Sequence, residues 1–168
     1  VVGFGAHPSG GFQRGEVTDL CRGGLDIEAA VREAEEAAAA EVSTLFVGTG
    51  SCQTRCFNSR GCIPVPSEDH LINESDRLKA LKAAESVFLP NDRQVLCAVP
   101  QRYCLDHLSF VANPVGMTAS QLEAEVHLVT DTIAAVSNLA KCIEEVHLTV
   151  EGLLFQPLAT AEAALTAD

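Results

Sequence analysis

Residues 122–128 read Leu-Glu-Ala-Glu-Val-His-Leu, and apolar and polar side chains alternate through the whole stretch. Successive side chains of a β-strand point to opposite faces of a sheet, so this alternation predicts a strand with one buried and one solvent-exposed face. The solvent-exposed face carries Glu123, Glu125 and His127, and we interpret His127 as a solvated or edge-packed imidazole. The chain is therefore expected to contain a half-buried sheet.

The residues before this strand predict further short elements. Residues 54–58 and 62–65 flank Ser59-Arg60-Gly61, a short polar connection with glycine that is typical of a β-hairpin. A helix is predicted from about Glu74 to Phe88, with Asn73 as its N-cap and Pro90 after its end. A strand over residues 94–103 and a loop with Pro114 and Gly116 complete this middle region.

The segments before and after this middle region differ from it in their hydrophobic pattern. Residues 42–49 are nearly all apolar and β-branched, which predicts a strand buried on both faces of a parallel sheet. A helix is predicted from Asp26 as a plausible N-cap, and another from Asp131 with Ile133, Val136, Ala140 and Ile143 facing inward. An opening strand at residues 1–4, a strand at 150–155 and a short Ala-rich helix after Pro157 are also expected.

Composition narrows the class of protein. The 168 residues carry 11 basic and 23 acidic side chains, a net charge of −12, and 47% are hydrophobic. A globular protein with so negative a charge and no basic run is repelled by nucleic acid and by anionic lipid surfaces. Seven scattered cysteines, an odd number, indicate reduced thiols and a cytoplasmic location. The chain opens on an apolar run without an initiator Met, so we expect a segment of a longer protein.

Known chemical motifs are weak or missing in the sequence. We find no complete phosphate loop or dinucleotide fingerprint, and no cysteine or serine on an elbow-type turn beside a histidine, so no catalytic set is predicted. Cys52, Cys56, Cys62 and His70 could in principle hold zinc. Their spacing fits no common zinc motif, and on a strand Cys52 and Cys56 would be about 13 Å apart, so we expect ordinary thiols and no metal.

Several short sequence motifs, in the same order and at similar spacing, resemble those of the FtsA family of bacterial cell-division proteins. That family belongs to the actin-like ATPase superfamily. The resemblance is carried by the following residues: Gly3-Phe4-Gly5-Ala6-His7-Pro8-Ser9, Ser43 to Val47, Asn58 with Gly61, Leu96 to Gln101, Asn113-Pro114-Val115-Gly116-Met117, Leu122 to Thr130, Lys141-Cys142, Pro157-Leu158-Ala159 and Ala164-Leu165-Thr166.

The resemblance implies an α/β fold, a partial actin-like (ribonuclease-H-like) core with an inserted strand-helix-strand-strand subdomain. Residues 1–49 and 131–168 would be parts of subdomain 1A, and residues 50–130 would be the inserted subdomain 1C. Proteins of this family self-associate, link FtsZ filaments to the cytoplasmic face of the cell membrane and recruit divisome proteins. In them, subdomain 1C is implicated in self-association and partner contacts.

The resemblance also separates this chain from the longer parent. ATP and Mg, the FtsZ site and a membrane-binding C-terminal helix would belong to parts of the parent outside these residues. We therefore expect no cofactor and no catalysis from this segment alone, whereas the parent would bind or hydrolyse ATP. The alternative is a segment of an actin-like ATPase from another assembly system, a PilM-like pilus scaffold, contributing walls of a nucleotide cleft.

The candidate interaction residues lie in the predicted hairpin and in the loop before the alternating strand. Val115 and Met117 are apolar residues that a purely solvated loop would not need, although packing back onto the domain explains them equally well. Cys62 and Gln121 stand where the family usually has an aliphatic residue and an arginine. The predicted protein-interaction residues are Asn58, Arg60, Gly61, Cys62, Val115, Met117 and Gln121.

Overall fold

A computed structural model describes residues 1–165, which divide into two compact units. One unit holds residues 1–54 and the residues from 131 onward, and the other holds residues 55–130. The predicted domain limit at residue 168 and the last residue of the Ala164-Leu165-Thr166 motif lie outside the described residues. In chain order the elements are β1 (Phe12–Gln13), β2 (Glu16–Val17), α1 (Leu20–Ala38), β3 (Thr44–Thr49), β4 (Arg55–Pro64), α2 (Glu74–Glu85), β5 (Arg93–Leu105), β6 (Ser109–Val111), β7 (Gln121–Thr132), α3 (Ile133–Glu144), β8 (Thr149–Phe155) and α4 (Gln156–Ala164).

The unit of residues 55–130 is a four-stranded sheet with one helix. The strand order is β4-β7-β5-β6, so the alternating stretch of sequence forms the inner strand β7. Its apolar positions Leu122, Ala124, Val126 and Leu128 are fully buried, which confirms the predicted half-buried strand. They form one core with α2, which contributes Ala80 and Ala84.

The predicted hairpin at residues 54–65 is wrong. Residues Arg55–Pro64 form one continuous strand that pairs antiparallel with β7 at all ten positions. Gly61 is buried, and a Cβ atom placed on it would lie 2.1 Å from the backbone nitrogen of Ala84. The glycine therefore lets α2 approach the sheet backbone closely, and its turn-like signal in the sequence has this packing cause.

Helix α2 begins as the sequence predicts but ends earlier. Asn73 is the N-cap and shares a capping box with Asp76, while the helix ends at Glu85 rather than near Phe88. Strand β5 is longer than predicted, and the sequence interpretation missed β6. Asp106 and His107 both have positive φ and, with Leu108, form the three-residue turn that joins β5 to β6.

The other unit corrects the start of the first helix. Asp19, not Asp26, is the N-cap of α1. Asp26 lies inside the helix, is 6% exposed, and accepts hydrogen bonds from the backbone N–H groups of Gly10 (2.6 Å) and Gly11 (2.8 Å). The carboxylate therefore ties the glycine-rich loop to the helix, because it satisfies donors that the loop could not pair itself.

Three further expectations for this unit need correction. No strand forms at residues 1–4, and β3 is not buried on both faces, since Phe46 is 64% exposed. Helix α3 has Thr132 as its N-cap, and Ile133 is exposed, although Val136 and Ile143 are buried as predicted. Strands β3 and β8 do pair in parallel, which confirms the predicted parallel arrangement.

We expect Gly61→Ala to destabilise the chain by about 1–3 kcal/mol, because its Cβ would overlap the backbone of α2 and force helix and sheet apart. Urea denaturation followed by circular dichroism measures this loss. Gly48→Ala is the matched control, since a Cβ at that strand glycine would meet the Gln156 side chain at an ordinary 3.5 Å. Equal stabilities of the two variants would contradict the close packing.

Acid should weaken the Asp26 contacts. Hydrogen bonds from Gly10 and Gly11 lower the pKa of Asp26, so its contribution to stability is present above the unfolded pKa of about 3.9 and is lost as pH falls through the lower folded pKa. Asp26→Asn should remove this part of the acid dependence of the unfolding free energy. Glu28→Gln, an exposed change on the same helix, should leave it intact.

Candidate functional site

The sheet of residues 55–130 has two chemically different faces. Helix α2 packs on the face formed by Leu122 and its apolar neighbours. The opposite face, which we call the open face, carries polar side chains from three strands and an aromatic ring from a fourth. It consists of Asn58, Arg60 and Cys62 on β4, Arg102 on β5, Phe110 on β6, and Gln121, Glu123, Glu125 and His127 on β7.

Glu125 is the electrostatic centre of the open face. Its Oε2 lies 2.9 Å from Nε of Arg102 and 3.3 Å from a terminal nitrogen of Arg60. The Glu125 side chain is 11% exposed, whereas Arg102 is 47% and Arg60 is 56% exposed. The carboxylate thus lies beneath two guanidinium groups that remain open to solvent.

Both arginines have a second contact that fixes their position. Arg60 also lies 3.6 Å from Glu123, and the Arg102 guanidinium stacks 4.3 Å from the centre of the Phe110 ring. Planar guanidinium groups suit such stacked and forked contacts better than an ammonium group does. The hydrogen bond from Arg102, with the charges of Arg102 and Arg60, lowers the pKa of Glu125 against the opposing effect of burial.

A second group of contacts lies around Gln121. Its Oε1 is 2.9 Å from Nε2 of His107 and accepts a weak hydrogen bond from the Cys62 thiol at 3.9 Å. Nδ1 of His107 lies 3.5 Å from Glu123. Burial and the negative charge of Glu123 raise the pKa of Cys62, so this thiol is a poor nucleophile at neutral pH.

The structure brings together four of the seven predicted interaction residues. Asn58, Arg60, Cys62 and Gln121 share the open face, where Asn58 Oδ1 also lies 2.7 Å from Nδ1 of His127. Gly61 points to the other face, under α2.

Val115 and Met117 lie outside this group, in the loop that leads to β7. They are 38% and 40% exposed on either side of Gly116, whose φ is +86°. The backbones of Gly116 and Met117 are each hydrogen-bonded to Ile72, so the loop is held against residues 70–72. These two side chains are half exposed, intermediate between a solvated and a packed loop.

Sequence reasoning missed Arg102, His107 and Phe110 as members of the site. They lie on β5, on β6 and in the turn between these strands, and only the strand order places them beside β7. Glu123 and Glu125 were visible as the polar half of the alternation, but nothing in the sequence indicated their arginine partners.

Residues 1–165 contain neither a metal-binding cluster nor a membrane-spanning helix. Within this range, no three His, Cys, Asp or Glu side chains are grouped so that they could hold a metal ion. None of the seven cysteines, all of which lie in this range, forms a disulfide. Across the same residues, none of the helices is both long and apolar enough to span a bilayer.

Comparison with known proteins finds a match for this part of the chain. A family model described as the SHS2 domain inserted in FtsA matches residues 52–130. Residues 52–130 are thus similar to that domain, and we call the matched region the SHS2 domain. The SHS2 domain thus covers the sheet, α2 and the complete open face.

The similarity extends over the whole chain. All 168 residues align with the cell division protein FtsA of Pseudomonas aeruginosa at 35% identity, of Neisseria meningitidis serogroup B at 33% and of Escherichia coli K12 at 30%. The chain spans about 40% of the length of each of these relatives. The resemblance found in the sequence is confirmed.

A solved structure supports the fold assignment. The chain is similar to a protein in the PilM-PilN type IV pilus biogenesis complex, with a TM-score of 0.59 and 13% identity over 92% of this chain and 40% of that chain. This likeness concerns the fold alone. The fold is α/β and is consistent with a partial actin-like core. The inserted unit differs from the expected strand-helix-strand-strand order, because the short strand β6 adds a third strand after α2.

The arginine contacts of Glu125 allow a direct test. Arg102→Gln should raise the pKa of Glu125 towards the ordinary glutamate value of about 4.3, because the main hydrogen bond to the carboxylate is lost. NMR titration of the side-chain carboxyl carbons measures the shift. Arg77→Gln, which removes a guanidinium bound to Glu74 and Tyr103, should leave Glu125 unchanged. An unchanged pKa of Glu125 in Arg102→Gln would contradict the arrangement.

Proposed function

We propose that this chain is part of an FtsA-like cell-division scaffold, in which the open face of the SHS2 domain supplies contacts to other proteins. Similarity to FtsA proteins over all 168 residues supports the role in cell division. We choose this surface because the guanidinium groups of Arg60 and Arg102 are open to solvent and are held in place by the nearly buried Glu125 carboxylate. Binding at such a surface loses little side-chain freedom, because both arginines are already positioned.

The proposed contacts are self-association and the recruitment of divisome proteins. In the longer scaffold, FtsZ linkage, attachment to the cytoplasmic face of the membrane, and binding of ATP and Mg are assigned to parts outside residues 1–168. The likeness to the PilM structure concerns the fold and favours no pilus role for this chain.

A chimera tests the proposal in cells. The segment of Pseudomonas aeruginosa FtsA that aligns with residues 1–168 is replaced by this chain, and the cells are depleted of their own FtsA. We expect the chimera to support division. Arg60→Glu within it should give undivided filaments at an unchanged protein level, because the charge of the open face is reversed at its exposed centre.

Lys82→Glu is the matched control, since it makes the same charge change at an exposed position on α2. Cells with this chimera should divide. Normal division with Arg60→Glu would contradict the assignment of the open face. Filamentation with the unmodified chimera at a normal protein level would contradict the scaffold role itself.

A further inference from the structure

Within residues 1–165, strand β4 is a long edge strand of the SHS2 sheet. It stands at the end of the strand order, so β7 pairs with one of its sides only. The strand is ten residues long and pairs with β7 without a bulge, whereas the opposite edge, β6, has three residues. Proteins usually protect edges with short strands, bulges or charges, because unpaired backbone groups attract another strand. Strand β4 is neither short nor bulged, and its protecting groups are the charges of Arg55 and Arg60 and the terminal Pro64. Its length and regularity leave room for pairing between them.

The hydrogen bonds of Gln121 show which β4 groups point outward. Its N–H donates to the Asp106 carboxylate and its C=O accepts from the Asp106 N–H, so both point to the β5 side and away from β4. Antiparallel pairs alternate between bonded and non-bonded positions. Every second β4 residue is therefore directed to the outer edge. Cys56, Asn58, Arg60 and Cys62 present both N–H and C=O there, whereas Pro64 has no N–H to offer.

We propose that β4 pairs antiparallel with β4 of a second copy of this chain, about a two-fold axis at Ser59. The proposal rests on the self-association in the proposed function and names its edge and its register. In this register Cys56 stands opposite Cys62 of the second copy, and Asn58 stands opposite Arg60. All four outward-pointing residues then form hydrogen-bonded pairs, and the two open faces join into one continuous surface.

Charge and face exclude the neighbouring registers. A shift of one residue would place the helix-covered face of one sheet beside the open face of the other, since side chains alternate with period two. A shift of two residues one way sets Arg60 opposite Arg60, and like charges directly opposite are destabilising. The shift of two residues the other way leaves Cys62 beyond the end of the partner strand, which begins at Arg55.

The helix-covered side of the interface also fits this register. Phe57 is 39% exposed and would stand opposite Gly61 of the second copy. Helix α2 already covers this glycine, so the Phe57 ring would lie beside the helix and not over the Gly61 backbone. Ser59, on the axis, would meet its own counterpart. This side of the register therefore places no like charges opposite each other.

The native cysteines report the register. Cys56 and Cys62 of one chain are six residues apart on a strand, about 20 Å, so a disulfide between them within one folded molecule is impossible. Directly opposite residues in a bonded antiparallel pair have Cα atoms about 5.5 Å apart, within disulfide range. A disulfide between residues 56 and 62 therefore identifies two copies in the proposed register.

The experiment oxidises the 168-residue chain with diamide at about pH 9.5, above the ordinary thiol pKa of about 8.5, because the pKa of Cys62 is raised. Trypsin cleaves after Arg55, Arg60 and Arg77, so the expected product is peptide 56–60 linked to peptide 61–77. Cys56→Ser and Cys62→Ser should each abolish the link, and Cys52→Ser should leave it unchanged. A link that joins two copies of Cys56 or two copies of Cys62, or no link at all, would overturn the register.

A proline variant tests the edge without thiol chemistry. Asn58→Pro removes an outward N–H while sparing the bonds to β7, as edge strands allow. We expect a dimer dissociation constant at least tenfold higher by sedimentation velocity, with Asn58→Ala keeping the wild-type value. Unchanged association in Asn58→Pro would overturn the edge pairing, and circular dichroism verifies its fold. If this variant unfolds, the disulfide link alone decides the outcome.

Failure here is distinguishable from failure of the scaffold role. A chimera that supports division, combined with a chain that forms no link between residues 56 and 62, would overturn the β4 pairing and leave the scaffold role in place. An Arg60→Glu chimera that divides normally would instead remove the open face from the function. A monomeric chain without the link would show that a second copy does not pair with the β4 edge.

Discussion

The strict alternation of β7 is the constraint on which the SHS2 domain depends. One set of its side chains forms the core with α2, and the other set supplies the carboxylates of the open face. A one-residue slip of β7 would exchange the two sets, placing Glu123 and Glu125 under the helix. The burial of Leu122 through Leu128 and the exposure of the arginines are therefore consequences of a single register.

The charges of the open face follow from that register. Arg60 lies opposite Glu125 on the neighbouring strand, and Arg102 reaches the same carboxylate from β5. A carboxylate that is 11% exposed is costly unless it is paired, and the two guanidinium groups supply the pairing. The chain as a whole carries a charge of −12, yet this surface presents positive groups to solvent.

Sequence reasoning was accurate where the signal is local. The alternation of β7 and the Asn73 cap of α2 were predictable, because each depends on residues within a few positions. The hairpin prediction failed at Gly61, since a glycine that permits a turn and one that permits a close helix contact look the same in sequence. The arginine partners of Glu125 could not be predicted, because they depend on the order of strands.

The parity of β4 also separates two kinds of evolutionary change. A substitution at Gly61 is limited by the packing of α2. Even positions, such as Asn58 and Cys62, face solvent, and new side chains there leave the core untouched. A lineage can therefore alter what this strand recognises through a few even-numbered codons, as long as it keeps the glycine under the helix.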